Sequence, residues 1–131
     1  MEETYKVLVP TDFTAEAEAA ISHAAFVAKS FDGEVVLLHV ISSDKKKEEA
    51  QSKLDEAATD AQKAYDVKVS TEIRKGSIFE RIPEVAEEIN AMLIVMGTHG
   101  VKGVQHLTGS YALKVIGHSK VPFIVTQSKK S

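Results

Sequence analysis

The sequence predicts an α/β fold, a doubly wound α/β/α sandwich on a five-stranded parallel sheet, from three observations. Short apolar runs alternate with stretches of helical periodicity along the whole chain, which gives five strands and four helices. One run, Ala91–Met96, is apolar at every position, as a central parallel strand buried on both faces must be. Another, Val67–Ile73, sets Val67, Val69, Thr71 and Ile73 against Lys68, Ser70 and Glu72. That period of two marks a half-exposed strand at a sheet edge.

The elements follow in order. Tyr5–Pro10 reads as a short buried strand stopped by Pro10, a residue that fits strand ends but not interiors. Thr11-Asp12-Phe13-Thr14 comes next, and Asp12 or Thr14 caps the first helix. Glu16 and Glu18 then suit the positive end of the macrodipole, and Ala17, Ala20, Ile21, Ala24, Val27 and Ala28 share one apolar face. Asp32-Gly33 signals a turn into a second strand, Glu34–Ile41. From Asp44 to Tyr65 the pattern is helical, with a narrow stripe of Ala50, Leu54, Ala57, Ala61 and Ala64 and a charged, solvated face that includes Lys45–Lys47, Glu48 and Glu49. Ser77 and Glu80 have capping-box spacing ahead of an apolar face of Ile78, Ile82, Val85, Ala86 and Ile89. Pro83 predicts a kink or a tighter first turn there. After Ala91–Met96 come a glycine-rich loop, a short helix from about Ser110 to Ile116, and a last strand over Pro122–Gln127 before a lysine tail.

Ligands of such sheets bind beyond the carboxyl ends of the strands, where the strand order reverses. Order 3-2-1-4-5 puts the reversal between strands one and four and sets Pro10-Thr11-Asp12 beside the glycine loop. Order 2-1-3-4-5 pairs strand one with strand three instead, and the loop loses that neighbour. The alternating third strand favours the first order, in which it is an edge. The last strand is then the other edge, although Phe123–Val125 is continuously apolar, so a second subunit is expected to cover it.

The chain has 131 residues, enough for one domain that buries about two-thirds of its unfolded surface. Its net charge of −3, with both signs interspersed, offers no face for nucleic acid. The absence of cysteine removes disulfides, thiolate metal sites and cysteine nucleophiles together. No apolar run approaches the roughly 20 residues of a membrane span, and Met-Glu-Glu-Thr-Tyr-Lys lacks the layout of a secretory signal, so the expected compartment is the cytoplasm.

Candidate chemistry gathers in Met96–Ser110, which holds four of the seven glycines: Gly97, Gly100, Gly103 and Gly109. Glycines between a buried strand and a helix allow backbone N–H groups to meet phosphate oxygens closely. Ser110, at the start of the last helix, adds a hydroxyl to a positive helix end, or simply caps it. Asp12 could accept from a ribose or a base, or cap the first helix. Val40, at the end of strand two, could offer its backbone to an adenine ring, or belong to the core. His23, His39, His99, His106 and His118 show no metal-ligand spacing within one element; His99 and His106 flank the loop, and Lys102 is its one charged side chain. The chain contains neither a P-loop nor a nucleophile elbow. Nothing in these residues demands an enzyme.

Val-Leu-Val-Pro-Thr-Asp near the start, Leu-Leu-His-Val, Leu-Ile-Val-Met-Gly-Thr-His-Gly, Gly-Ser-Tyr-Ala and the closing Val-Pro-Phe-Ile-Val together resemble the universal stress protein family. The resemblance covers essentially the whole chain. It implies an adenine nucleotide alpha hydrolase-like sheet of order 3-2-1-4-5, a homodimer formed through the last strand, Phe123–Thr126, and a role in stress survival rather than a defined reaction. Nucleotide-binding members carry Gly, two residues, Gly, nine residues, then Gly-Ser or Gly-Thr. The implied site is Pro10, Thr11, Asp12 and Val40 with Met96, Gly97, Thr98, His99, Gly100, Gly109, Ser110 and Tyr111, holding ATP with Mg2+ as its counter-ion. One departure stands out: only eight residues, Val101 to Thr108, separate Gly100 from Gly109. A loop one residue short moves the cradle by up to about 3 Å, and Gly103 offers slack to absorb it.

Two functions are therefore expected. The first is a cytoplasmic homodimer that binds ATP or another adenine nucleotide with little or no catalysis. The second is a nucleotide-independent dimeric module for a protein partner in stress signalling, which the short spacer favours. A phosphoacceptor receiver domain needs a second acid beside Asp12 and an aspartate ending strand three; Thr11 and Phe13 flank Asp12, and strand three ends in Ile73-Arg74.

Overall fold

The computed structural model describes residues 4–97 and 120–126. Its elements are β1 (Lys6–Pro10), α1 (Ala15–Ser30), β2 (Glu34–Ile41), a single 3-10 turn (Asp44–Lys46), α2 (Lys47–Tyr65), β3 (Lys68–Lys75), α3 (Ile78–Glu88), β4 (Leu93–Gly97) and β5 (Phe123–Thr126). The sheet is parallel throughout in the order β3-β2-β1-β4-β5, so the reversal falls between β1 and β4. The expected loop beyond Gly97 and the short helix over Ser110–Ile116 lie outside the described residues.

Alternation along the strands builds two cores. Val7, Val9, Val35 and Leu37 face α1 and α2, where Ala20, Ile21, Ala24, Ala28 and Leu54 meet them. Leu8, Val36, Leu38, Ile94 and Met96 face α3 and pack on Ile82, Val85 and Ala86. The small residues of α1 let that helix lie close to the sheet, whereas α3 supplies bulkier side chains.

The buried stripe of α2 differs from the expected one. It consists of Ala50, Leu54, Ala58 and Ala61; Ala57 is half-buried and Ala64 is exposed. The buried arc centres on Leu54, so Ala58, one turn on, falls inside it. Ala64, on the far flank and near the helix end, faces solvent.

Helix ends show how local chemistry sets the boundaries. Thr14 caps α1, its hydroxyl accepting from Ala17 N. Ser77 caps α3 by accepting from Phe79 N at 3.1 Å, while Glu80 pairs with Arg81 rather than closing the box. The tighter first turn expected from Pro83 is present: the amides of Glu80 and Arg81 both donate to Ser77 O, at 3.2 and 2.9 Å. Past the helices, Asp32, Asp66 and Asn90 adopt left-handed φ of 54–57°, the conformation that short polar side chains tolerate.

Edge strand β3 is guarded by charge. Arg74 bridges Glu72 on its own strand and Glu88 on α3, at 2.6 and 2.8 Å. Glu88 first, then Glu72, raises the Arg74 pKa above its ordinary value by accepting hydrogen bonds from the guanidinium.

Gly33 is required by close approach. A Cβ there would stand 2.4 Å from Tyr5 O, a backbone atom that also accepts from Glu34 N. Gly33→Ala is expected to cost about 2 kcal/mol, read as a lower urea midpoint with unchanged slope.

Candidate functional site

Three ladders meet at the reversal point and end at different heights. The β1–β2 ladder runs to Pro10↔Leu38, and the β4–β5 ladder runs to Gly97↔Thr126. The β1–β4 ladder stops at Leu8↔Ile94. The cause is Pro10. Thr11 N donates to Leu38 O at 2.8 Å, which assigns the amides of Val7, Val9 and Thr11 to the β2 side and those of Leu8 and position 10 to the β4 side. The next rung toward β4 needs an N–H from residue 10, and proline has none. Pro10 thus stops pairing on the β4 side only. In Pro10→Ala the rung is expected to form, and the new amide should then exchange with deuterium at least about tenfold more slowly than an unprotected one.

The segment from Thr11 to Thr14 folds back on its own side chains. Buried Thr11 accepts from Phe13 N at 3.1 Å through Oγ1. Asp12 Oδ1 accepts from Thr14 N at 3.1 Å and from Thr14 Oγ1 at 2.5 Å. Asp12 and Thr14 therefore share the capping of α1: Thr14 is the cap, and Asp12 orients its hydroxyl. Among the described residues no hydrogen bond reaches Asp12 Oδ2, so a carboxylate able to accept about four bonds spends only two here.

Phe13 sits at φ 68°, a conformation costing a bulky residue about 1–2 kcal/mol. Its ring stacks on His39, with centroids 4.6 Å apart and planes tilted by 37°. Lys53 Nζ lies 5.7 Å from the centroid of the same ring, within cation–π range. His39 Nδ1 lies 2.8 Å from Thr11 O. A carbonyl only accepts, so Nδ1 carries the hydrogen. A cleft of about 200 Å³ adjoins this group on the α1/α2 side, lined by Thr11, Phe13, Glu18, Lys53 and Asp60 among others.

Pro10, Thr11 and Asp12 therefore stand together at the carboxyl end of β1, and Gly97 ends β4 across the reversal point. Val40 lies near the end of β2, half-buried against the α3-side core, on the opposite sheet face from Phe13 and His39. Met96 is buried in that α3-side core, so its backbone is the part available to a ligand. Thr98, His99, Gly100, Gly109, Ser110 and Tyr111 lie outside the described residues. Sequence reasoning passed over Phe13 and His39. The available signal was His39 itself, the polar member of the inward-facing series Val35, Leu37, His39.

Among the described residues, no group of three or more His, Asp or Glu side chains could hold a metal ion, and no helix is long and apolar enough to cross a membrane.

Comparison with known proteins agrees with this architecture. The universal stress protein MJ0531 of Methanocaldococcus jannaschii is 34% identical over 142 residues, covering 95% of this chain and 83% of its own. The solved structure of MJ0577, a universal stress protein of the same organism, superimposes with a TM-score of 0.82 at 32% identity, covering 99% of this chain and 100% of that one. A universal stress protein of Archaeoglobus fulgidus, solved in complex with dAMP, shares the fold at a TM-score of 0.77 and 22% identity, covering 95% of this chain and 98% of its own. The model of the universal stress protein family matches residues 4–127, and with the strand order and the relatives it establishes that this chain belongs to that family.

Proposed function

We infer that this chain is a one-domain cytoplasmic stress-response protein that binds ATP or a related adenine nucleotide as a ligand, with little or no turnover. The observation that carries the reading is the early end of the β1–β4 ladder at Leu8↔Ile94, beside an aspartate whose second carboxylate oxygen is unengaged among the described residues. In this reading Asp12 accepts from ribose hydroxyls and Val40 offers backbone groups to the adenine. Backbone N–H groups of Gly97, Thr98, His99 and Gly100, with Gly109, Ser110 and Tyr111, hold the phosphates. Pro10, Thr11 and Met96 complete the set at the strand ends. Mg2+ enters as the counter-ion of the phosphates, since it favours phosphate and carboxylate oxygens over a protein-built cage. The Archaeoglobus fulgidus protein with this fold was solved with dAMP, so the fold itself accommodates an adenine nucleotide.

Titration calorimetry with ATP tests the reading. Saturable binding with a Kd in the range of about 1–100 μM, roughly 5–8 kcal/mol, is expected; no heat and no thermal shift at millimolar ATP would overturn it. The short spacer between Gly100 and Gly109 favours a second reading, a nucleotide-independent interaction module. Native mass spectrometry of freshly purified protein separates the two, because co-purified nucleotide supports only the first.

The proposed assembly is a homodimer through β5, which is an edge strand with Val125 exposed at 40%. Val125→Arg is expected to convert the dimer to monomer in sedimentation velocity, because an interfacial arginine meeting its own symmetry mate introduces like charges.

A further inference from the structure

We propose that His39 is a positioning residue for Asp12, clamping the segment from Thr11 to Thr14 onto the sheet in the conformation that leaves one carboxylate oxygen without a hydrogen bond among the described residues. The proposal rests on the nucleotide reading of the same crevice and deepens it.

The bonds inside this segment are all local. Thr11 Oγ1 serves Phe13 N, Asp12 Oδ1 serves Thr14, and Thr14 Oγ1 serves Ala17 N. Such bonds give the turn a shape without fixing where it stands on the sheet. On the β4 side Pro10 offers no N–H, which shifts polar attachment toward β2. Among the described residues two polar links do this: Thr11 N to Leu38 O at 2.8 Å, and His39 Nδ1 to Thr11 O at 2.8 Å. The first is an ordinary ladder rung available to almost any residue. The second is specific to His39, whose ring also stacks on Phe13 at 4.6 Å. One side chain therefore holds the carbonyl before Asp12 and the left-handed residue after it. With those two neighbours pinned, the Asp12 backbone has little freedom, and its carboxylate is presented in a single direction before any ligand arrives. Preorganisation of this kind reduces the ordering cost of binding.

The test is a double-mutant cycle on ATP affinity over wild type, His39→Ala, Asp12→Asn and the pair, joined to hydrogen exchange of the Phe13 and Thr14 amides. His39→Ala is expected to lower ATP affinity about tenfold and to speed exchange of the two amides by about the same factor. In the Asp12→Asn background the affinity loss should shrink to about threefold or less, since the partner through which His39 acts is gone. His39→Asn keeps an N–H donor close to the Nδ1 position and is expected to recover most of both effects. Equal affinity losses in both backgrounds, or exchange rates unaltered by His39→Ala, would overturn the proposal. If wild type does not bind ATP, the nucleotide reading fails by itself, and the exchange rates with the asparagine rescue decide the clamp. If His39→Ala does not fold, His39→Asn compared with His39→Phe, which keeps the stack without the donor, makes the same decision.

Discussion

A Gly109→Val, Ser110→Ala double variant is expected to bind ATP at least about 100-fold more weakly than wild type, a loss of roughly 3 kcal/mol. In the proposed site, backbone N–H groups approach the phosphate oxygens at hydrogen-bond distance, and a branched side chain at position 109 occupies the space that approach needs. Losing the Ser110 hydroxyl removes one charge-assisted bond, worth about 1.5–3 kcal/mol. The urea midpoint is expected to move little beside the loss of affinity. Calorimetry with ATP, together with denaturation of the same samples, checks both halves. An unchanged affinity would mean that the cradle is elsewhere.

Leu54→Ala is expected to have the largest effect on stability, about 3 kcal/mol. Leu54 is fully buried, and the other buried residues of α2 are alanines, Ala50, Ala58 and Ala61. A single leucine therefore supplies most of the bulk with which this helix fills the space above β2 and β3. Flanking alanines have no side chain long enough to close the cavity, so relaxation recovers little. Chemical denaturation followed by far-UV circular dichroism measures the cost. Exchange of the α2 amides should rise beyond the global change, because the helix loses its main anchor. For comparison, Ile82→Val in the other core removes one methylene beneath α3 and is expected to cost about 1 kcal/mol.

What could be read in advance divides along physical lines. Periodicity is local, and it located the boundaries of β2 and the apolar face of α3, whereas β3 runs two residues past Ile73 to Lys75 and alternates in burial only over Lys68–Ser70. The strand order followed from a single edge argument about Val67–Ile73, and the sheet has that order. On α2 the stripe was displaced because alanine is the commonest residue on more than one face of that helix. Which alanines become buried depends on how the helix rolls against the sheet, not on their identity. The site was legible only in part. Proline, aspartate and glycine announce themselves by type, so Pro10, Asp12 and Gly97 could be placed at strand ends from sequence. The pairing of His39 with Thr11 O and Phe13 could not, since it spans 28 positions and joins a loop to a neighbouring strand. No periodic pattern records such a contact. The short spacer after Gly100 remains a fact of sequence, with the segment outside the described residues.

Pro10 also has a meaning for protein engineering. Clefts at the end of a parallel sheet are usually made by inserting residues or trimming side chains, changes that disturb packing. Here the β1–β4 ladder ends for want of one hydrogen, on an imino acid whose other side stays fully laddered to β2. A substitution of this kind adds no cavity and leaves both cores as they are. Placed near the end of an interior strand, with its nitrogen toward the neighbour to be released, proline could turn a closed parallel sheet into a receptive one.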